Sequence, residues 1–213
     1  GKFRIFRKGV LVFSAPVDKN VNLKSFEGCL VVTQVEQNVE LANKMIFVRR
    51  YQEASEIIES LLDNEQLIDY ALLHMRRIEL APKVGNAPKL KDDYHKMLGD
   101  EETIFFGELY SIMVDQHCFG QDASAVLDRY QEHIKTYGPS AASYHGMGLA
   151  LESMSNLDRA KYNYDEAIRH DAEWYPSYFG LSQVYYQQGD DKRGDHYFYL
   201  FEESAPFNVY GNF

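Results

Sequence analysis

In the last third of the chain, apolar residues recur at spacings of three and four in four successive runs. These are about Ala141 to Met154, Leu157 to His170, Pro176 to Gln188 and Lys192 to Glu203. Such spacing keeps apolar positions on one side of a helix of about 3.6 residues per turn, and so predicts four amphipathic helices. The breaks between paired runs are short. Ser155-Asn156 and Gly189-Asp190 are expected to end one helix with a left-handed residue and to open the next with a side-chain N-cap. Laid over itself, this region repeats at a period of 34 residues. Tyr144 pairs with Tyr178, Met147 with Leu181, Gly148 with Ser182, Leu151 with Tyr185, Ala160 with Gly194, Tyr164 with Phe198 and Ala167 with Phe201. Small residues recur where two helices would cross closely.

The same frame extends backwards. Tyr110, Met113, Val114, His117, Val126, Tyr130 and His133 occupy the equivalent positions of a third, degenerate unit that starts near Gly107, with Phe119-Gly120-Gln121-Asp122 as its internal break. Further back, Leu41, Ala42, Met45, Tyr51, Ala54, Ile58 and Leu61 fit a unit of about Val35 to Ile68. The unit between these two (Tyr70 to Leu80, then Lys89 to Leu98) is out of phase by four residues, which suggests a loop insertion around Val84-Gly85-Asn86-Ala87-Pro88. For residues 35 to 100 a generic helical bundle is an equal alternative. Residues 1 to 34 do not fit the repeat. Phe3 to Phe6 and Val10 to Phe13, separated by Arg7-Lys8-Gly9, have the alternation of a short hairpin, with Cys29 to Thr33 as a third strand, or form an extended arm.

The strings Tyr-x-x-Met-Gly-x-x-Leu with Ala160, Tyr164 and Ala167, and Tyr-x-x-Leu-Ser-x-x-Tyr with Gly189, Gly194, Phe198, Phe201 and Pro206, resemble the signature of the tetratricopeptide repeat (TPR) family, most clearly over residues 141–208. The resemblance implies a mainly α fold, a right-handed α-α superhelix of TPR-like helix pairs with a short N-terminal extended or β segment. The expected organisation is an N-terminal arm or small β element over 1–34, degenerate helical units over 35–106, three TPR-like units over 107–208 and a tail over 209–213. A helix pair cannot cover its own apolar face, so neighbours stack and curve around a concave groove. Family positions, carried over one residue at a time, place Glu108, Ser111, Asp115, His145, Leu149, Glu152, Phe179, Gln183, Tyr186 and Gln187 in that groove. Some family members grip a chaperone's C-terminal carboxylates through Lys, Asn and Arg there. His145, Leu149 and Gly180 stand at the matching places, so that clamp is absent.

Charge refines the partner. The formal net charge of −10 disfavours nucleic acid. It is unevenly spread: residues 1 to 50 hold nine basic groups against four acidic ones, net +5, leaving −15 for the remainder. A groove of aromatic, amide and acidic side chains suits a protein or peptide with an apolar anchor and basic character. Cys29 and Cys118 are far apart with no metal-like spacing, which favours a reducing, cytoplasmic setting. No apolar run approaches the roughly 18 residues of a membrane span, so membrane insertion is not expected. The chain begins without Met, as a processed or truncated product would. No polar capping helix follows Pro206, so either the natural protein continues or Phe198, Tyr199, Phe201, Phe207, Tyr210 and Phe213 meet another chain in a homo-oligomer.

No constellation for catalysis stands out. There is no Gly-rich phosphate loop, nucleophile elbow or paired Cys-x-x-Cys. Asp115, His117 and Cys118 fan too widely around one helix to converge on a metal. Neither an enzyme nor a cofactor is therefore expected. The leading expectation is a non-catalytic scaffold or adaptor. Its alternatives are a regulatory or substrate-presenting helical domain of a larger enzyme, and a self-assembling structural subunit.

Overall fold

The computed structural model describes the backbone of residues 2–7 and 10–16 and the structure of residues 38–39, 41–63 and 71–204. The chain divides into two compact units, Gly1–Gln37 and Asn38–Phe213. In the first, β1 (Lys2–Arg7) and β2 (Val10–Pro16) pair antiparallel, with Ile5 opposite Phe13 and Arg7 opposite Val10. The register shifts between Ile5 and Phe6, as at a β-bulge. Both strands run longer than the apolar alternation suggests. Cys29 to Thr33 lie outside the described residues.

The second unit is helical. Residues 38–39 and 41–47 are helical, and the latter stretch is α1. It is followed by α2 (Tyr51–Leu62), α3 (Ala71–Val84), α4 (Ala87–Lys96), α5 (Ile104–Cys118), α6 (Ala123–Tyr137), α7 (Ala141–Ser153), α8 (Leu157–His170), α9 (Pro176–Gln187) and α10 (Asp191–Ser204). A 3-10 turn, Met97–Gly99, extends α4. The second helices of the last three pairs begin at Ala123, Leu157 and Asp191, so the period of 34 residues is carried by the backbone.

One turn closes every pair. A left-handed residue follows the first helix at Arg49, Gly85, Gly120, Ser155 and Gly189. At four of these places the next N–H reaches back five residues: Arg50 to the Met45 carbonyl, Asn86 to Ala81, Asn156 to Leu151 and Asp190 to Tyr185, at 2.8 to 3.1 Å. This is a Schellman closure, which satisfies carbonyls the helix end would otherwise orphan. Arg49 and Ser155 accept a conformation that glycine would adopt without strain. The second helix is capped at Asp122, whose Oδ1 accepts from Ser124 and Ala125, and at Asp190, whose Oδ1 accepts from the Arg193 N–H. Asn156, expected to cap α8, makes no such bond; its place is defined by the Schellman turn instead.

The expected loop insertion at 84 to 88 is absent. α3 runs through Pro82 to Val84, only Gly85 and Asn86 intervene, and Pro88 lies in the first turn of α4, where its missing N–H costs nothing. Pro82 leaves the carbonyl of Ile78 without its helical donor. The Cys118 thiol supplies a replacement at 3.6 Å. The extra residues sit later, in Met97–Gly99 and the turn of residues 100–103 before α5.

The core is a line of aromatic rings on the second helices, seated on first helices. Tyr94, Tyr130 and Tyr164 are fully buried. The Tyr130 ring lies on Gly146, and the Tyr164 ring on both Gly148 and Gly180. Around the earliest of these rings, His74 stacks on Tyr110 with centroids 4.2 Å apart, and its Nδ1 meets the Tyr94 hydroxyl at 3.0 Å. Arg77 forks onto Glu59 at 2.6 and 2.7 Å and reaches Asp93 at 3.2 Å, which ties α2, α3 and α4 together. Among the described residues, no helix is long and apolar enough to cross a membrane.

Candidate functional site

First helices of four pairs line one groove. α7 contributes His145, Leu149 and Glu152 and α9 contributes Phe179, Gly180 and Gln183, while Met75, Arg76 and Glu79 come from α3. His117 of α5 and Phe201 of α10 complete a pocket of about 340 Å³. His145, Leu149 and Glu152 share a face because they are spaced four and three apart, and Phe179 and Gln183 do so for the same reason. Phe179 is 41% exposed yet packs on Phe201, centroids 5.2 Å apart, so it forms a wet aromatic wall.

Two imidazoles line this pocket. His145 is buried, its Nδ1 meets the Ser177 hydroxyl at 3.0 Å, and its ring sits edge-on to Trp174. Burial, with His117 adding to it, holds its proton affinity down at about 3. His117 is lowered by burial as well, and Glu79 only partly offsets that. Both imidazoles are therefore neutral near pH 7. Arg76 bonds Glu79 at 2.6 Å and also faces Tyr175, which precedes α9. Burial works against the guanidinium's charge, but these two partners outweigh it and push its pKa up.

Glu152 is held differently. Its Oε1 accepts from the Gln187 amide at 2.6 Å and its Oε2 from the Tyr164 hydroxyl at 2.8 Å. Gln187, on α9, thus fixes a carboxylate of α7 rather than lining the pocket itself. Tyr186 packs on Gly194 and donates to Asp195 at 2.7 Å, away from the pocket.

Glu108, Ser111 and Asp115 do not join this groove. They line a second cavity of about 490 Å³, with Lys91 and His95 of α4 and Arg129, Glu132 and His133 of α6. Asp115 is clamped there by Lys91 at 2.5 Å and Arg129 at 2.7 Å. Burial alone would raise its pKa, but these two cations hold the carboxyl below the ordinary range. Position 115 lies about 200° around the helix from 117, and His117 is the α5 residue that faces the groove. The 34-residue frame puts the wrong side of α5 inward because the left-handed turn residues fall at Gly120, Ser155 and Gly189: the first spacing is 155 − 120 = 35 residues rather than 34, so the frame runs one residue, about 100°, out of phase in α5.

Of the residues expected to mediate self-association, Phe201 is a groove wall, Phe198 is half-buried beside it, and Tyr199 is 57% exposed. Phe207, Tyr210 and Phe213 lie outside the described residues. Sequence reasoning missed Met75, Arg76, Glu79 and Tyr175. Arg76 and Glu79 are readable as an i,i+3 ion pair, but their meeting with Tyr175 depends on how α3 and α9 are stacked.

Neither a family model nor a curated protein sequence matches the chain. Among solved structures, a thermophilic TPR protein of Thermus thermophilus superposes with a TM-score of 0.56 at 14% identity, over 82% of this chain and 93% of that one. The chain has a tetratricopeptide-repeat fold. MamA 41-end from Desulfovibrio magneticus RS-1 aligns at TM-score 0.46 and 14% identity, over 80% of this chain and 94% of its own, and adds no further argument. In TPR terms, α3, α5, α7 and α9 are first helices of their repeats and line the inner groove, and α4, α6, α8 and α10 are the second helices.

Proposed function

We propose that the chain is a non-catalytic protein-interaction scaffold whose inner groove holds a segment of a protein partner. One observation carries this reading: an apolar pocket of about 340 Å³, open to solvent beside a half-exposed Phe179 and built from helices of successive repeats. A bulky side chain entering it would cover Phe179 and Leu149, and buried area of this kind contributes roughly 25 cal/mol per Å². Glu152, which lines the pocket with no ion pair among the described residues, favours a partner of basic character. The TPR fold supports the same reading, since stacked helix pairs supply the extended concave surface that repeat proteins use for binding.

The test is site-directed photo-crosslinking with an array of short labelled peptides, each carrying one large apolar residue. A crosslinker replacing Gln183 is expected to capture bound peptide, and one replacing Glu132 beside the second cavity is not. Equal capture at both, or capture that persists in a Phe179→Ala, Leu149→Ala protein, contradicts the groove assignment.

A further inference from the structure

We infer that Glu152 is the recognition point for an arginine of the bound segment, one helical turn from the apolar residue that fills the pocket. This inference rests on the groove reading above and adds to it the chemistry of the partner.

Most carboxylates with side-chain contacts in this unit are neutralised. Glu79 is paired with Arg76, Asp115 with Lys91 and Arg129, Glu59 and Asp93 with Arg77, and Asp190 with Arg193. Glu152 has no ion pair among the described residues, although it lines the groove. Its two hydrogen bonds come from neutral donors on two different helices, the Tyr164 hydroxyl of α8 and the Gln187 amide of α9. These donors fix the carboxylate in space without cancelling its charge.

Each carboxylate oxygen carries two lone pairs, and each has spent one on a protein donor. One acceptor site remains on each oxygen. That is the pattern a planar guanidinium fork satisfies with two parallel bonds, whereas a lysine ammonium meets it only as a point charge. Arg76, the cation nearest the pocket, is already engaged by Glu79 and Tyr175 and leaves Glu152 unanswered. Leu149 and Glu152 are one turn apart on α7, so the apolar anchor and the arginine of a helical ligand would be spaced three or four residues apart. The net charge of −15 outside the first fifty residues would draw such a segment in.

The experiment measures fluorescence anisotropy of short peptides with one leucine or phenylalanine and, three or four residues away, arginine, citrulline, lysine or glutamate. The arginine peptide is expected to bind about tenfold more tightly than its citrulline twin, in keeping with a charge-assisted pair. Glu152→Gln keeps the shape and one acceptor for Tyr164 or Gln187, and should abolish that preference together with its salt dependence while leaving the apolar contribution. Glu152→Arg should invert the preference toward the glutamate peptide. Thermal melts of both variants separate lost recognition from lost folding. If arginine and citrulline peptides bind alike, or if Glu152→Gln leaves the arginine preference intact, the inference fails and the groove reading stands. If none of the peptides binds and no crosslink forms at Gln183, both fail together.

Discussion

The buried ring of Tyr164 lies against Gly180 of the following repeat so closely that a Cβ there would come within 2.6 Å of Cζ. A Cβ at Gly148 of α7 would likewise stand 2.5 Å from Cε1. The ring thus packs on the backbone of two first helices, and its bulk limits how closely α7 and α9 approach it. Because Tyr164 is fully buried, it has nowhere to move. Gly180→Ala should therefore lower stability by about 1–2 kcal/mol, the overpacking cost exceeding alanine's gain in helix propensity. Urea midpoints decide it: an unchanged or raised midpoint would show that the helices can separate without loss.

Arg77 ties three helices through Glu59 and Asp93. Arg77→Met keeps the apolar stem and removes the fork. Glu59 is 34% exposed and can take up water once abandoned, so the expected cost is about 1–3 kcal/mol rather than the larger penalty of a sealed charge. Arg77→Lys should recover less than half of it, since an ammonium cannot make the two-pronged contact. Full recovery by lysine would show that charge alone matters there.

Acid should weaken the fold before carboxylates titrate. The His145 imidazole falls from an ordinary 6.5 to about 3 in the folded chain because it is buried next to His117. Above pH 6.5 it is neutral in both states and contributes no pH dependence. Between 6.5 and about 3 the unfolded chain binds a proton that the folded chain refuses, so unfolding becomes easier as pH falls. His117 and His133 are lowered by burial too and act in the same direction. Asp115, held low by Lys91 and Arg129 against its burial, adds a separate loss in the carboxylate range as its proton goes on. Urea midpoints should drop from about pH 7.5 to about pH 5, and His145→Gln should flatten that slope. An equally steep slope in the variant would place the acid response elsewhere.

Phe179 should separate binding from folding. It is half-exposed, so Phe179→Ala is expected to cost no more than about 1 kcal/mol of stability. The same change removes an aromatic wall of the pocket and should reduce capture of apolar peptides at least about tenfold. Loss of binding only in parallel with a falling melting temperature would show the residue to be structural.

Much of this was legible along the chain. Tyr144 and Tyr178, or Tyr130, Tyr164 and Phe198, recur at 34 residues because each pair must seat a ring against small residues of a neighbour, and that constraint is written in residue size. Gly189 and Asp190 announced a turn and a cap, and both are present. Helix α3 runs past the expected end at Leu80, through Pro82 to Val84, and the Cys118 thiol, far away in sequence, stands at the Ile78 carbonyl that Pro82 leaves without a donor.

The groove was legible only in part. His145, Leu149, Glu152, Phe179 and Gln183 lie where two regular repeats place them. Glu108, Ser111 and Asp115 do not, because the turn that follows α5, at Gly120, sits one residue off the spacing that Ser155 and Gly189 keep.

By itself, then, the amino-acid order determined that helices come in pairs, where the regular C-terminal pairs turn, and that rings and small residues recur at fixed spacing, since these follow from local periodicity and side-chain volume. Only the folded stack decided which side of α5 looks inward, that Arg76 would meet Tyr175 from a distant repeat, and that Glu152 would be fixed by Tyr164 and Gln187. The rotation of a helix about its own axis is set by the neighbours it packs against, and no local stretch of sequence contains those neighbours.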